Sequence, residues 1–315
     1  MINVHYDLDN LPKFNNAFVT IGTFDGVHLG HQQIIALLKQ QAAAVSGETV
    51  IITFHPHPRK IIAGGKQEVK ILNTLEEKIE LLDQHGIAHL VVVEFTDLFS
   101  NQTAQEYVEN FLAKKFQPNT IIIGYDHKFG KNRSGDYHLL ERLSDPLGFK
   151  VMEIPERLLN EIIISSTRIR EALLSGNISK ANSFLGYDYF FSGTVIEGNK
   201  LGRTIDYPTA NLAIDNEEKL IPGLGVYAVT ISIENYTKVL SGMMNIGVRP
   251  TVNGSSRTIE VNIFDFSDNI YGQKLKIAVV QHLRSEIKFD GLEQLKLQLN
   301  IDNQQAISIL ESKKE

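Results

Sequence analysis

Residues 20–31 read TIGTFDGVHLGH, and the reading of this stretch decides the architecture of the N-terminal half. AFVTIGTF (17–24) is an apolar, β-branched run that reads as a strand. Residues 29–44 have helical periodicity, and ETVIITF (48–54) reads as the next strand. Strand, glycine-bearing turn, helix and strand make a βαβ unit. A helix N-terminus offers unpaired N–H groups and the positive end of a dipole, and Gly22, Gly26 and Gly30 permit close backbone approach, which suits a phosphate. His28 and His31, three residues apart at the helix mouth, face one side and can donate to charge developing on that phosphate. A metal pair is the competing reading of these histidines. AGGKQ (63–67) lacks both the spacing and the hydroxyl of a Walker loop.

Working outward, HLVVVEF (89–95), TIIIGY (120–125) and FKVMEI (149–154) read as further strands. TLEEKIELLDQHG (74–86), capped at Asn73 or Thr74 and stopped at Gly86, and TAQEYVENFLAKKF (103–116) read as helices. Apolar strands alternating with helices predict a Rossmann-like parallel sheet covered on both faces. Ligands of such sheets bind beyond the carboxyl ends of the strands. HPHPRK (55–60), GYDHKFGKNRSGD (124–136) and ISSTRIR (164–170) fall there, adding Lys128, Lys131, Arg133, Arg168 and Arg170 with few carboxylates. That inventory suits polyphosphate.

Near residue 185 the rhythm changes. FFSGTVIEG (190–198), GVYAVTISI (225–233), TKVLSGMMNIG (237–247), TIEVNIFDF (258–266) and KLKIAVVQHL (274–283) are short strand candidates between Gly/Pro punctuation, which suits a small antiparallel barrel. DGLEQLKLQLNIDNQQAISIL (290–310) has helical spacing and predicts a terminal helix on that barrel. The expected domains are therefore 1–184 and 185–315, adjoining without a low-complexity linker.

Composition narrows the chemistry. The 315 residues include no cysteine, so disulfides, thiolate metal sites and a cysteine nucleophile are impossible. A net charge of −6 argues against non-specific nucleic-acid binding. No uncharged apolar run approaches bilayer-spanning length, so no membrane partner and a cytoplasmic location are expected by default.

The second half contains GNKLGRTIDYPTANL (198–212), PGLGVYAV (222–229), MNIGVRPTVNG (244–254) and IEVNIFDF (259–266). The run 198–202 with Arg203 is either a phosphate loop or a hairpin connection. Thr209 and Asn211 are two apart, so in extended chain both oxygens point the same way. Such a pair suits Mg²⁺, a hard ion that completes its shell with phosphates and water. Tyr227 and Phe264 read as barrel core, and Arg249 either binds ligand or pins a turn.

GTFDGVHLGH with SSTRIR resembles the paired signature of the HxGH nucleotidyltransferase superfamily. With TFHPHP between them and GYDHKFGKNRSGD following, it resembles more narrowly the FMN adenylyltransferase module of bacterial bifunctional riboflavin kinase/FAD synthetases. The second half is similar to the riboflavin kinase module, a small barrel whose PTAN motif binds Mg–ATP, and the tail LRSEIKFDGLEQLKLQL extends the resemblance over nearly the whole chain. The resemblance implies phosphorylation of riboflavin to FMN with release of ADP, then adenylylation of FMN to FAD with release of pyrophosphate. It assigns catalysis to Glu260 as the kinase base and to His28, His31 and Arg170 in the transferase. It places Gly22, Phe24, Asp25, Gly26, Gly30, Ser166, Thr167 and Arg168 at the transferase ATP, and Asp126 and Phe129 at its flavin. Kinase ATP falls to Gly198, Gly202, Arg203, Thr209 and Asn211, with Thr209 and Asn211 holding Mg²⁺. A monomer or weak homo-oligomer is expected. Two departures from the pattern stand out: His127 replaces the usual Phe, and Asp206-Tyr207 replaces Gly-Phe.

Overall fold

The computed structural model describes residues 1–62, 69–125, 127–154, 164–198, 202, 205–251 and 254–313. They form two compact units, Met1–Ser166 and Thr167–Glu315.

In the first unit, β1 (Asn3–His5), β2 (Phe18–Ile21), β3 (Thr49–His55), β4 (His89–Glu94), β5 (Thr120–Gly124) and β6 (Lys150–Ile154) form one parallel sheet in the order β1-β4-β3-β2-β5-β6. Alternate residues Val19, Ile21, Val50, Ile52, Val91, Val93, Ile121 and Ile123 share one buried face with Tyr107, Val108, Phe111 and Phe116. Each fully buried aliphatic side chain contributes about 1.5–3 kcal/mol. The helix expected over 103–116 is present, with a π-helical stretch at Tyr107–Ala113. Helix α1 (Leu29–Ala43) buries Ile35, Leu38 and Ala42. Helix α2 (Leu75–Gln84) is capped at Thr74, whose hydroxyl accepts the Glu77 N–H while the Glu77 carboxylate accepts the Thr74 N–H. It stops before Gly86, at φ +71°. Helix α3 (Tyr137–Leu147) follows β5 and precedes β6. Strand order reverses between β2 and β5, so the ligand crevice is expected beyond their carboxyl ends.

The second unit takes in most of helix α4 (Ser166–Leu174), helix α5 (Ile178–Leu185) and a closed antiparallel barrel. Its strands β7 (Phe190–Ile196), β8 (Ala210–Ala213), β9 (Gly225–Ile233), β10 (Leu240–Thr251), β11 (Gly254–Ile263) and β12 (Lys274–Arg284) close in the order β10-β11-β8-β7-β12-β9. Division by compactness thus falls upstream of the change in rhythm near 185, because both helices dock on the barrel. The Asn182 amide donates to Val279 O at 2.9 Å, and the Gly223 N–H donates to Leu173 O at 3.0 Å. The terminal helix α6 (Leu292–Ser312) packs Ala306 and Leu310 against Ala228, Met243 and Val280. Its fully buried Asp302 takes the Arg284 guanidinium at 2.7 Å. Tyr227 and Phe264 are packing residues, as their sequence context suggests.

Candidate functional site

The chain after β2 turns sharply, with Phe24, Gly26 and Val27 at positive φ, and enters α1 through His28, the N-cap. The His28 Nδ1 accepts the His31 backbone N–H at 3.4 Å. A neutral imidazole accepting at Nδ1 carries its proton on Nε2, so His28 keeps a donor for a ligand. The two imidazoles stack with centroids 3.8 Å apart and planes 17° from parallel, and Phe24 backs His31 at 4.8 Å. Gly30 makes room for this stack, since a Cβ there would meet the His28 ring at 3.3 Å. Burial pushes His28 down to about 4, against the opposing charge of Asp25. Burial also holds His31 well below its usual value, assisted by the neighbouring His28 and Lys78. Both rings are therefore neutral near pH 7.

Asp25 is buried, and its carboxylate accepts the N–H groups of Leu72 and Asn73 at 2.9 and 3.3 Å. It ties the 22–31 loop to the entry of α2. The Ser166 hydroxyl donates to the Asp25 carbonyl at 2.9 Å. Thr167 and Arg168 are exposed and Arg170 is half-buried, all on α4 in the second unit. Phe129 is not an exposed platform for a flavin. It is buried, stacks on Tyr107 at 5.3 Å and bridges Gly135, where a Cβ would strike its ring. Its neighbour His127 lies 5.9 Å from it, ring to ring. The expectations for Asp126 and Arg203 lie outside the described residues.

In the barrel, strand register assembles the second site. Glu260 pairs with Asn211 of β8 on one side and with Asn245 of β10 on the other. Directly opposed residues project to one face of a sheet, so the three side chains form a row. Thr209, Asn245, Glu260 and Asn262 line a cavity of about 280 Å³ with Tyr207, Met243, Met244, Ile287, Phe289 and Leu299. A wider recess of about 740 Å³ is lined by Thr209, Ala210, Val261, Phe266, Asp268 and Tyr271. Thr209 stands at both. The Asn262 amide holds Pro208 O at 2.7 Å, fixing the start of β8. Gly198 lies against the Asn211 carboxamide, which a Cβ would overlap. Arg249 reaches the Glu260 carboxylate at 3.4 Å.

The departure at 206–207 also has a structural account. Asp206 adopts φ +64°, a conformation native to glycine and tolerated by Asp. Its carboxylate pairs with Lys296 of α6 at 2.8 Å, which lowers its pKa, and the Tyr207 hydroxyl bonds Asn300. Both substituted residues thus tether the PTAN segment to the terminal helix.

Sequence reading missed Lys78, Asn245 and Asn262. Lys78 is buried three and four residues before the buried Leu81 and Leu82, so it sits on the apolar face of α2. A lysine in that register was the available signal. Asn245 and Asn262 interrupt apolar strand runs, MMNIG and VNIF.

A helix mouth bearing two stacked imidazoles on a parallel sheet, followed by a barrel that sets a carboxylate beside hydroxyl and carboxamide groups, fits a two-domain, nucleotide-using transferase. Residues 11–168 match the family model for FAD synthetase, and residues 185–310 match that for riboflavin kinase. A bifunctional riboflavin kinase/FMN adenylyltransferase of Listeria monocytogenes is 40% identical over 290 residues, covering 92% of this chain and 91% of that one. Its namesakes in Bacillus subtilis and Escherichia coli are 36% and 33% identical, covering 92% and 94% of this chain and 92% and 93% of theirs. The crystal structure of a Streptococcus pneumoniae protein described as a macrolide-efflux protein superposes with a TM-score of 0.87 at 30% identity, covering 96% of this chain and 97% of that one. The chain belongs to the bifunctional riboflavin kinase/FMN adenylyltransferase family. Among the described residues, no helix is long and apolar enough to cross a membrane.

Proposed function

We propose that the barrel phosphorylates riboflavin and the parallel-sheet domain adenylylates the resulting FMN, each with the residues assembled above, the working modules being 1–184 and 185–315. The observation that carries the kinase assignment is the register row, which fixes Glu260 beside Asn211 on the wall where Thr209 meets both cavities. Riboflavin occupies the apolar cavity beside Glu260, and ATP binds along Gly198, Gly202, Thr209 and Asn211, with Asn211 on the same face as Glu260. Glu260 accepts the proton of the ribityl 5′-hydroxyl as its oxygen attacks the γ-phosphorus, and ADP leaves.

Thr209 and Asn211 offer hard oxygen donors, and the Gly198 cradle sets the carboxamide, so the pair fits a divalent ion, for which we favour Mg²⁺. Among the described residues no group of three His, Asp or Glu side chains could hold a metal by itself. When bound, the ion offsets phosphate charge.

In the first unit the FMN phosphate oxygen attacks the α-phosphorus of ATP, and pyrophosphate leaves. This nucleophile is already ionised near pH 7, so the step needs positioning and donors rather than a base. His28 donates from Nε2, with His31 and Ser166 in the donor set and Gly22, Phe24, Gly26 and Gly30 shaping the ATP site, and Thr167, Arg168 and Arg170 keep the roles toward ATP that the resemblance implies. Asp25 acts by holding the loop. The protein works in the cytoplasm as a monomer or weak homo-oligomer without nucleic acid.

The test separates flavins over time from protein incubated with riboflavin, ATP and Mg²⁺. FMN followed by FAD is expected; FMN without FAD removes the transferase reading. Glu260→Ala loses FMN formation yet adenylylates supplied FMN, and His31→Ala does the reverse. Equal loss of both activities in both folded variants refutes separate sites.

A further inference from the structure

The transferase mechanism makes no use of Lys78, although a buried ammonium is among the costlier groups to place in a protein interior. Lys78 lies on the inner face of α2, and its Nζ donates to Thr53 Oγ1 at 3.2 Å. The Thr53 hydroxyl in turn donates to the Thr23 carbonyl at 3.1 Å. Thr53, on β3, has no exposed surface. The chain Lys78–Thr53–Thr23 therefore ends on the backbone of the loop that carries His28 and His31. Groups facing the ammonium are Asp25 from that loop, Thr53 from β3 and His31 from α1. The Asp25 carboxylate already accepts two backbone N–H groups at the entry of α2, so it does not need the lysine for its own satisfaction.

Two consequences follow. The 22–31 loop is held from beneath at two points, through Asp25 to residues 72–73 just before α2 and through Thr53 to Lys78 within it. A full positive charge also stands under a loop whose own histidines are neutral. Burial lowers Lys78 to about 8 while Asp25 opposes that fall, so the ammonium is mostly charged at pH 7. In a dry setting such a charge acts on a polyanion across a side chain's width without touching it.

We propose that Lys78 is a positioning residue for FMN adenylylation: its ammonium fixes the histidine loop through Thr53 and supplies, from below, the cationic field in which pyrophosphate departs. The inference rests on the transferase reading of this site. It deepens that reading by dividing labour between neutral donors above and a buried cation below.

Lys78→Met keeps the unbranched apolar stem to Cε and removes the charge and the donor. The full chain is assayed for adenylylation of supplied FMN, with kinase activity and circular dichroism as controls for folding. Expected are a fall in kcat of at least tenfold with KM for FMN within threefold, partial recovery in Lys78→Arg, and kinase activity unchanged. Wild-type kcat falls above about pH 8, where the lysine loses its proton, and in Lys78→Arg that fall disappears. Thr53→Val, which cuts the link while keeping the charge, gives a smaller loss and keeps the falsification open should Lys78→Met not fold. A folded Lys78→Met or Thr53→Val with wild-type kcat overturns the proposal, as does an alkaline limb unmoved in Lys78→Arg. Failure of the wild-type protein to convert FMN and ATP to FAD would instead overturn the transferase reading itself.

Discussion

In the first unit the groups at the helix mouth are two stacked neutral imidazoles above a buried ammonium. In the barrel a carboxylate stands in a row between two carboxamides. In the proposed assignment both sites handle ATP, and the difference between them follows from the nucleophile. An alcohol must lose a proton as it attacks, so a carboxylate is placed where it can take one. A phosphate has already lost its proton, and a carboxylate facing it would only repel it. The one buried carboxylate of the transferase loop, Asp25, is accordingly turned inward onto backbone N–H groups.

The contrast can be broken most directly at Glu260. Glu260→Gln keeps shape and loses the base, and riboflavin phosphorylation should fall by about 10²–10⁴-fold while adenylylation of supplied FMN holds. Comparable losses in both assays would mean that the sites are not chemically separate.

The next largest effect concerns the neutral imidazoles. Folded His28 resists protonation down to about pH 4, whereas the unfolded chain takes up the proton near 6.5. Below 6.5 the unfolded state binds more protons, so stability falls as pH drops from 6.5 towards 4, by about 3 kcal/mol at the lower end. Thermal unfolding at pH 7 and pH 4.5 should show a smaller acid loss in His28→Gln than in the wild type.

Two alanine substitutions then sharpen the comparison from the backbone side. Gly198→Ala overlaps the Asn211 carboxamide and should cost the kinase on the order of 100-fold through displacement of that side chain. Gly30→Ala presses on the His28 ring at 3.3 Å and should cost adenylylation less, with the kinase untouched. Smallest is Asp206→Ala: the exposed pair with Lys296 is worth little, so KM for riboflavin should change about two- to fivefold and less in high salt.

The transferase loop was legible because its meaning is local. Glycines at a strand-to-helix turn and histidines three apart carry their geometry with them. The βαβ order and the barrel strands were legible through apolar runs, though β1, of three residues, offers too short a pattern. Residues 209–211 were legible as extended chain, but not the pairing of β8 with β11, which depends on residues about fifty positions away. Lys78 was hidden because charge on a helix is ordinarily read as solvent-facing; only its register against Leu81 and Leu82 gives it away. Phe129 marks the opposite limit, since an aromatic at a strand end serves a ligand or a core equally well in sequence, and only the close approach of Gly135 reveals how enclosed its ring is.

The row Asn211–Glu260–Asn245 makes the barrel a ruler. Its divisions are the steps of an antiparallel ladder, so Glu260 cannot drift by fractions of a residue as a loop residue can. A single insertion within β11 upstream of Glu260 would turn that carboxylate to the opposite face. Such a variant should keep a folded barrel and transfer no phosphate, which makes kinase activity a sensitive report on strand register.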